Sequence, residues 1–153
     1  MIETMNEDAT DLVKRPYKWF AGIGSADDKQ LAVEIAQREA YATISRVLEN
    51  IVDDECQRAS LAIDGKVHKA VSAYWKQVSQ TITKGCEPFG KATIELDTVT
   101  KVYEVIAKVA IRGDRFIKLL GEAKEVKPEG LNAAEMQDFI DVNKAIIDAA
   151  KEN

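Results

Sequence analysis

Between Tyr17 and Arg112 the hydrophobic pattern changes period several times, and each change marks an element. Tyr17, Trp19 and Ala21 alternate with Lys18, Phe20 and Gly22, the period-two pattern of a strand. Pro16 closes whatever precedes them, because the residue before a proline is pushed out of the α region. Gly22-Ile23-Gly24-Ser25 then reads as a turn, and Asp27 and Asp28 open a long helix. Along it Ala32, Ile35, Ala36, Ala40, Ile44, Val47, Leu48 and Ile51 recur at steps of three and four, which gathers them on one face. Ala32, Ala36 and Ala40 form a ridge without bulk, so this helix is expected to lie close on the sheet with the ridge inward. The acidic run Asp53-Asp54-Glu55 predicts that the helix leaves the core near Val52.

Ile63-Asp64-Gly65-Lys66 predicts a turn, and a second amphipathic helix follows through Val67, Val71, Tyr74, Trp75 and Val78. His68 lies one position off that stripe, the place of a surface or half-buried residue rather than a ligand. From Gly85 the period returns to two. Phe89, Ala92, Ile94 and Leu96 predict a strand with Gly90 as a bulge, and Asp97 to Lys101 turn it. Val102–Arg112 is the clearest strand, with Tyr103, Val105, Ala107, Val109 and Ile111 on one face and Glu104, Ile106, Lys108 and Arg112 on a half-exposed one. Asp114 is a candidate N-cap for a short helix through Phe116, Ile117 and Leu120. Residues 1–16 are acidic and weakly patterned, with one helical turn expected around Asp11-Leu12-Val13.

The expected fold is α+β: a small three-stranded, mainly antiparallel sheet from Tyr17–Ile23, Phe89–Leu96 and Val102–Arg112, the long helix packed on it, and a C-terminal helix. The expected organisation is an N-terminal extension over residues 1–16, the α+β domain over 17–123, a charged linker closed by Pro128 and Gly130 over 124–130, and a helix over 131–153. Asn132 and Glu135 have the spacing of a reciprocal capping box at the start of that helix. Met136, Phe139, Asn143, Ile146 and Ala150 then form a seam of alternating three- and four-residue steps, widened by Ile140 and Ile147. Two heptads do not hold together alone in water, so the helix must dock, either on its own domain or on another chain. If any part of the chain is a dedicated interaction element, Met136, Phe139, Ile140, Asn143, Ile146 and Ile147 are the residues expected to carry it.

Composition narrows the chemistry. At 153 residues with 46% hydrophobic and 31% charged residues the chain can bury a core without staples. A net charge of −5 gives no basic field, so nucleic acid is not an expected partner. No run approaches the ~18–20 apolar residues that cross a bilayer, and Met1 to Asp8 has neither the basic start nor the apolar core of a signal peptide. The expectation from residues alone is a soluble chain. Cys56 and Cys86 lie 30 positions apart without a CxxC spacing, and with the single His68 they are too few for a metal site. They read as two free thiols, with a disulfide as the alternative. Gly22-Ile23-Gly24 is the one motif that invites a nucleotide, but the third glycine of a dinucleotide fingerprint falls on Asp27, where two carboxylates repel phosphate. No catalytic residue, metal ligand or cofactor site is expected.

The run Trp19-Phe20-Ala21-Gly22-Ile23-Gly24-Ser25, the four-residue spacing of Ala32, Ala36 and Ala40, Ile44 with Val47-Leu48, and the strand Val102 to Val109 together resemble a bacterial family. It is the Lpp-twenty type of envelope lipoprotein domain, which is similar to the N-terminal domain of the flagellar assembly protein T. The resemblance covers roughly residues 17–120. It implies a small α+β domain with the long helix on an antiparallel sheet, and a non-catalytic structural or protein-interaction role at the cell envelope or in the periplasm. Its partner would be another protein or a second copy. Because the chain as read carries no acylatable cysteine at its start, membrane attachment is expected only where a lipidated leader has been removed. The alternative from the residues is a small-ligand or nucleotide-binding protein using Gly22-Ile23-Gly24.

Overall fold

A computed structural model describes residues 17–62 and 65–152. The expected turn around Asp11 lies outside these residues, as do Ile63 and Asp64 of the expected turn there. Within them run β1 (Tyr17–Ala26), α1 (Lys29–Arg58), α2 (Lys66–Gly85), β2 (Glu87–Pro88), β3 (Thr93–Asp97), β4 (Val102–Arg112), α3 (Gly113–Ala123) and α4 (Ala133–Glu152). The fold is α+β. β4 is the central strand of an antiparallel sheet, paired with β1 on one side and with β2 and β3 on the other.

The third expected strand is present as two pieces. Pro88 stands opposite Val109 and Thr93 opposite Ile106, so β2 and β3 take five steps where β4 takes three. The extra residues loop out around Gly90, whose φ of +71° suits glycine. Because their number is even, side chains keep their faces across the interruption. The β3–β4 hairpin closes where Asp97 Oδ1 accepts from the Val99 and Thr100 N–H groups at 2.9 and 3.2 Å.

Gly22-Ile23-Gly24-Ser25 is not a turn. β1 continues through Ala26, with Gly24 opposite Val105 and Ala26 opposite Tyr103. The reversal occupies only Asp27 and Asp28, and Asp28 caps α1 by accepting from the Leu31 N–H at 2.8 Å. α1 therefore folds straight back over the strand that leads into it. A methyl at Gly22 would lie 2.1 Å from the Ala40 nitrogen and 2.4 Å from the Ala36 oxygen. One at Gly24 would lie 2.4 Å from the Ala32 oxygen. The glycines thus serve close packing, and they face the alanine ridge expected from the helical spacing; Ala32, Ala36 and Ala40 are fully buried.

Two further expectations shift. α1 does not leave the core at Val52 but runs to Arg58, because Asp53 and Asp54 occupy its solvent side while Cys56 returns to the interior. It ends in a Schellman arrangement: Ser60, at φ +58°, donates to the Gln57 carbonyl and Leu61 to the Cys56 carbonyl. Asp114 is not the N-cap of α3 but lies in its first turn, and its carboxylate accepts from the Arg115 N–H and the Arg112 guanidinium.

The long helix gives the interior two parts. Its N-terminal half forms a thin layer with Val105 and Ala107 of β4, built from alanines and glycines. Its C-terminal half runs on beside the other helices, where Ile44, Leu48, Val52 and Cys56 pack with Val71, Trp75, Ile82, Phe116, Leu120, Phe139 and Ile146. α4 belongs to this second part, so residues 124–130 join it to the same core. Asn132 and Glu135 cap it reciprocally at 2.8 and 3.0 Å, as their spacing predicts.

Candidate functional site

Strand alternation divides the sheet into a covered and an open face. In β1, Lys18, Phe20, Gly22 and Gly24 point inward, and in β4 so do Val105, Ala107, Val109 and Ile111. The outward positions follow from the register: Trp19 beside Ala110, Ala21 beside Lys108, Ile23 beside Ile106, and Ser25 beside Glu104. β3 extends two of these rows, with Thr93 beside Ile106 and Glu95 beside Glu104. No described helix covers this side at its centre. Ile23 is 66% exposed, Ile106 45% and Trp19 38%, so the middle of the open face is an apolar strip.

Charge flanks the strip on both sides. Lys108 sets its ammonium 4.4 Å from the centre of the Trp19 ring, a diagonal cross-strand cation–π contact. Glu104 and Glu95 stand on the opposite side of the Ile23–Ile106 row. Beyond Trp19 the Tyr17 and Phe89 rings meet at 5.2 Å and close that end. Exposed apolar area with charge at its margins is the composition of a protein-contact surface.

The outer edge of β1 is free of strand partners among the described residues. The Lys108 carbonyl accepts from the Phe89 N–H at 2.9 Å, which turns the Lys108 backbone away from β1. Its partner Ala21 therefore directs its backbone to the free edge, and there the Thr43 hydroxyl of α1 donates to the Ala21 carbonyl at 2.9 Å. The helix thus overhangs the edge of its own strand.

A second feature is a groove of about 630 Å³ between α1 and α2. Its apolar floor is Leu48, Val52 and Trp75, and bridges cross it at either end: His68 Nε2 with Asp53 Oδ1 at 3.2 Å, and the Ser45 and Ser79 hydroxyls at 3.3 Å. His68 is half-buried, where its spacing placed it. Glu49, Lys76 and Ser72 line the groove without converging on a reacting position shown by any hydrogen bond.

The residues singled out for an interaction seam are mostly used within the chain. Phe139, Asn143, Ile146 and Ile147 are buried against the domain, Met136 is half-buried, and Ile140 stays exposed. Asn143 accepts from the Trp75 indole N–H at 2.7 Å and donates to the Ala123 carbonyl at 2.9 Å, so the polar residue in the seam fixes the helix in cis. Cys56 and Cys86 are free and buried, and burial pushes both thiols up to about 11. At Cys56 the carboxylates of Asp53 and Glu55 add to that rise. Both are far from the thiolate character a nucleophile needs. Gly22 and Gly24 are occluded by α1, which removes the proposed anion cradle. Sequence reading missed the open strip because the turn expected over Gly22-Ile23-Gly24-Ser25 stopped the outward alternation of Tyr17, Trp19 and Ala21 before Ile23, although the expected strand ended on that residue; carrying the alternation on would have found it.

No family model, curated protein or solved structure matches the chain.

Proposed function

We propose that the chain is a non-catalytic protein-interaction module of the cell envelope, and that its contact surface is the open sheet face around Trp19, Ile23 and Ile106. The single observation behind this reading is the exposed apolar strip of Trp19, Ile23 and Ile106 at the centre of the open sheet face. A sheet face left open on a soluble domain is normally polar, and isoleucines at its centre have no use in the chain's own core. Burial holds the Cys56 and Cys86 thiols in their protonated forms, which suits packing rather than a nucleophilic role. The envelope assignment is supported by the resemblance of residues 17–120 to the lipoprotein domain.

A photoreactive amino acid placed at position 23 in cells of the source organism tests this. The expected result is a discrete protein adduct that fractionates with the envelope, absent when the probe replaces Gln57 on the far end of α1. No adduct from position 23, or equal adducts from both positions, would remove the face as the contact surface.

A further inference from the structure

We infer that the partner of the open face is a second copy of this chain, packed face to face about a two-fold axis crossing the strands through the row Ile23–Ile106–Thr93. This rests on the reading of that face as a contact surface. The argument is the order of charge along the central strand. Outward from β4 come Lys108, Ile106 and Glu104: a cation, an apolar side chain and an anion. Rotation about an in-plane axis perpendicular to the strands turns the sheet over and reverses strand direction while keeping β1 opposite β1. Ile23 then meets Ile23 and Ile106 meets Ile106. Lys108 of each copy lies over the row Ser25–Glu104–Glu95 of the other, which gives two attractive crossings beside the centre, while Glu87 and Asp97, paired with Ala110 and Val102, meet only at the corners of the face, where both are exposed. None of the ion pairs among the described residues involves Lys108, Glu104 or Glu95, and the Trp19 face beside Lys108 leaves its charge unneutralised.

Two other symmetric packings fail on the same geometry. An axis parallel to the strands lays each Lys108 row over its own counterpart and gives no opposite-charge contact. Pairing of two β1 edges brings the strands about 4.8 Å apart, whereas packed helices need about 8–10 Å between axes. Because α1 sits directly on Gly22 and Gly24, the two helices would collide. Ten residues at about 3.4 Å and three strands at about 4.8 Å make a face of about 34 by 14 Å, small beside the ~800 Å² per partner of a standard interface. The association is therefore weak and concentration-dependent.

Sedimentation equilibrium of the full chain at low salt, from about 10 µM to about 1 mM as so small an interface requires, tests the inference. The wild type is expected to rise from 16.9 kDa toward twice that mass. Lys108→Glu and Glu104→Lys, both at exposed positions, should each stay at the monomer mass while keeping the wild-type circular dichroism and a cooperative melt, shifted in Lys108→Glu only by loss of the small contact with Trp19. An equimolar mixture of the two should regain the dimer, because each then offers the other the opposite sign. A wild type that stays monomeric, charge reversals that leave the dimer intact, or a mixture that does not reassociate overturns the inference. A monomeric chain whose position-23 adduct joins a different protein overturns the second copy alone; a monomeric chain with no adduct overturns the interaction reading too.

Discussion

Gly22→Ala isolates the closest contact in the fold. The added methyl would meet the Ala40 nitrogen at 2.1 Å, the Ala36 oxygen at 2.4 Å and the Glu39 carbonyl carbon at 2.5 Å. All three are backbone atoms of one helix, so no side chain can swing aside. Restoring ordinary contact means lifting α1 from β1 by about 1 Å, and a gap of that size forfeits a quarter to a half of each ~0.1–0.2 kcal/mol contact. Over the roughly 30–50 atom pairs of the alanine–glycine layer, with residual crowding, this comes to about 2–4 kcal/mol. For a chain of this size that is a fall of about 5–15 °C in melting temperature. The matched control is Gly121→Ala on the exposed side of α3, where a methyl meets nothing within 4 Å. There the same substitution should stabilise by about 0.5–1 kcal/mol through helix propensity. Differential scanning calorimetry reads both. If Gly22→Ala melts within about 2 °C of the wild type, where a 2–4 kcal/mol loss is expected, α1 does not sit on β1 as described and the argument fails.

Ala36→Leu puts a branched side chain into the same layer and should exceed the ~1–3 kcal/mol of ordinary overpacking; a smaller loss by urea denaturation would place Ala36 elsewhere. Asn143→Ala leaves the buried Trp75 N–H and Ala123 carbonyl unpaired and should cost about 2–4 kcal/mol, read from the urea midpoint at constant slope. Truncation after Gly130 removes Phe139, Val142, Ile146 and Ile147 from the helical core, so the shortened chain should bind a hydrophobic dye and lose its sharp melt; retained stability would mean α4 is an idle tail. The thiols rise from 9.0 to about 11 on folding, so folding favours their protonated forms. That contribution is complete below pH 9.0 and is lost as pH rises to about 11. Stability should accordingly fall over that window, less steeply in Cys86→Ala, and iodoacetamide at neutral pH should label Cys56 and Cys86 only after denaturant is added.

The parts of the fold legible in sequence were those where one period dominates. The 3.6-residue stripe of α1 and the alternation of β4 each leave a single consistent burial pattern, and the structure follows both. The parts that were not legible are those where one residue type serves two physical purposes. Glycine marks turns because it tolerates positive φ, and it marks close packing because it lacks Cβ. At Gly22 and Gly24 the second reason governs, and only the ridge Ala32-Ala36-Ala40 on the neighbouring element could have told the two apart. The acidic run Asp53-Asp54-Glu55 misled in a similar way: a helix with a solvent side carries charge anywhere along its length, and Cys56 three positions past Asp53 is the residue that shows the core continuing.

The C-terminal helix shows why an apolar seam names a face but not its occupant. Phe139, Asn143, Ile146, Ile147 and Ala150 present the same stripe to a partner chain or to their own domain, and burial area scores the two alike. What separates them is the polar residue. In a pair of identical helices a single buried asparagine finds its complement on the other chain. Here Asn143 has both of its groups satisfied within the domain, by an indole 68 residues upstream and by the last carbonyl of α3. Moving the helix to another chain would strand the Trp75 N–H and the Ala123 carbonyl in an apolar interior. Docking in cis is therefore fixed by hydrogen bonding rather than by hydrophobic area. The contact surface proposed above, the open sheet with its charges at the margins, differs in that it needs no buried polar match.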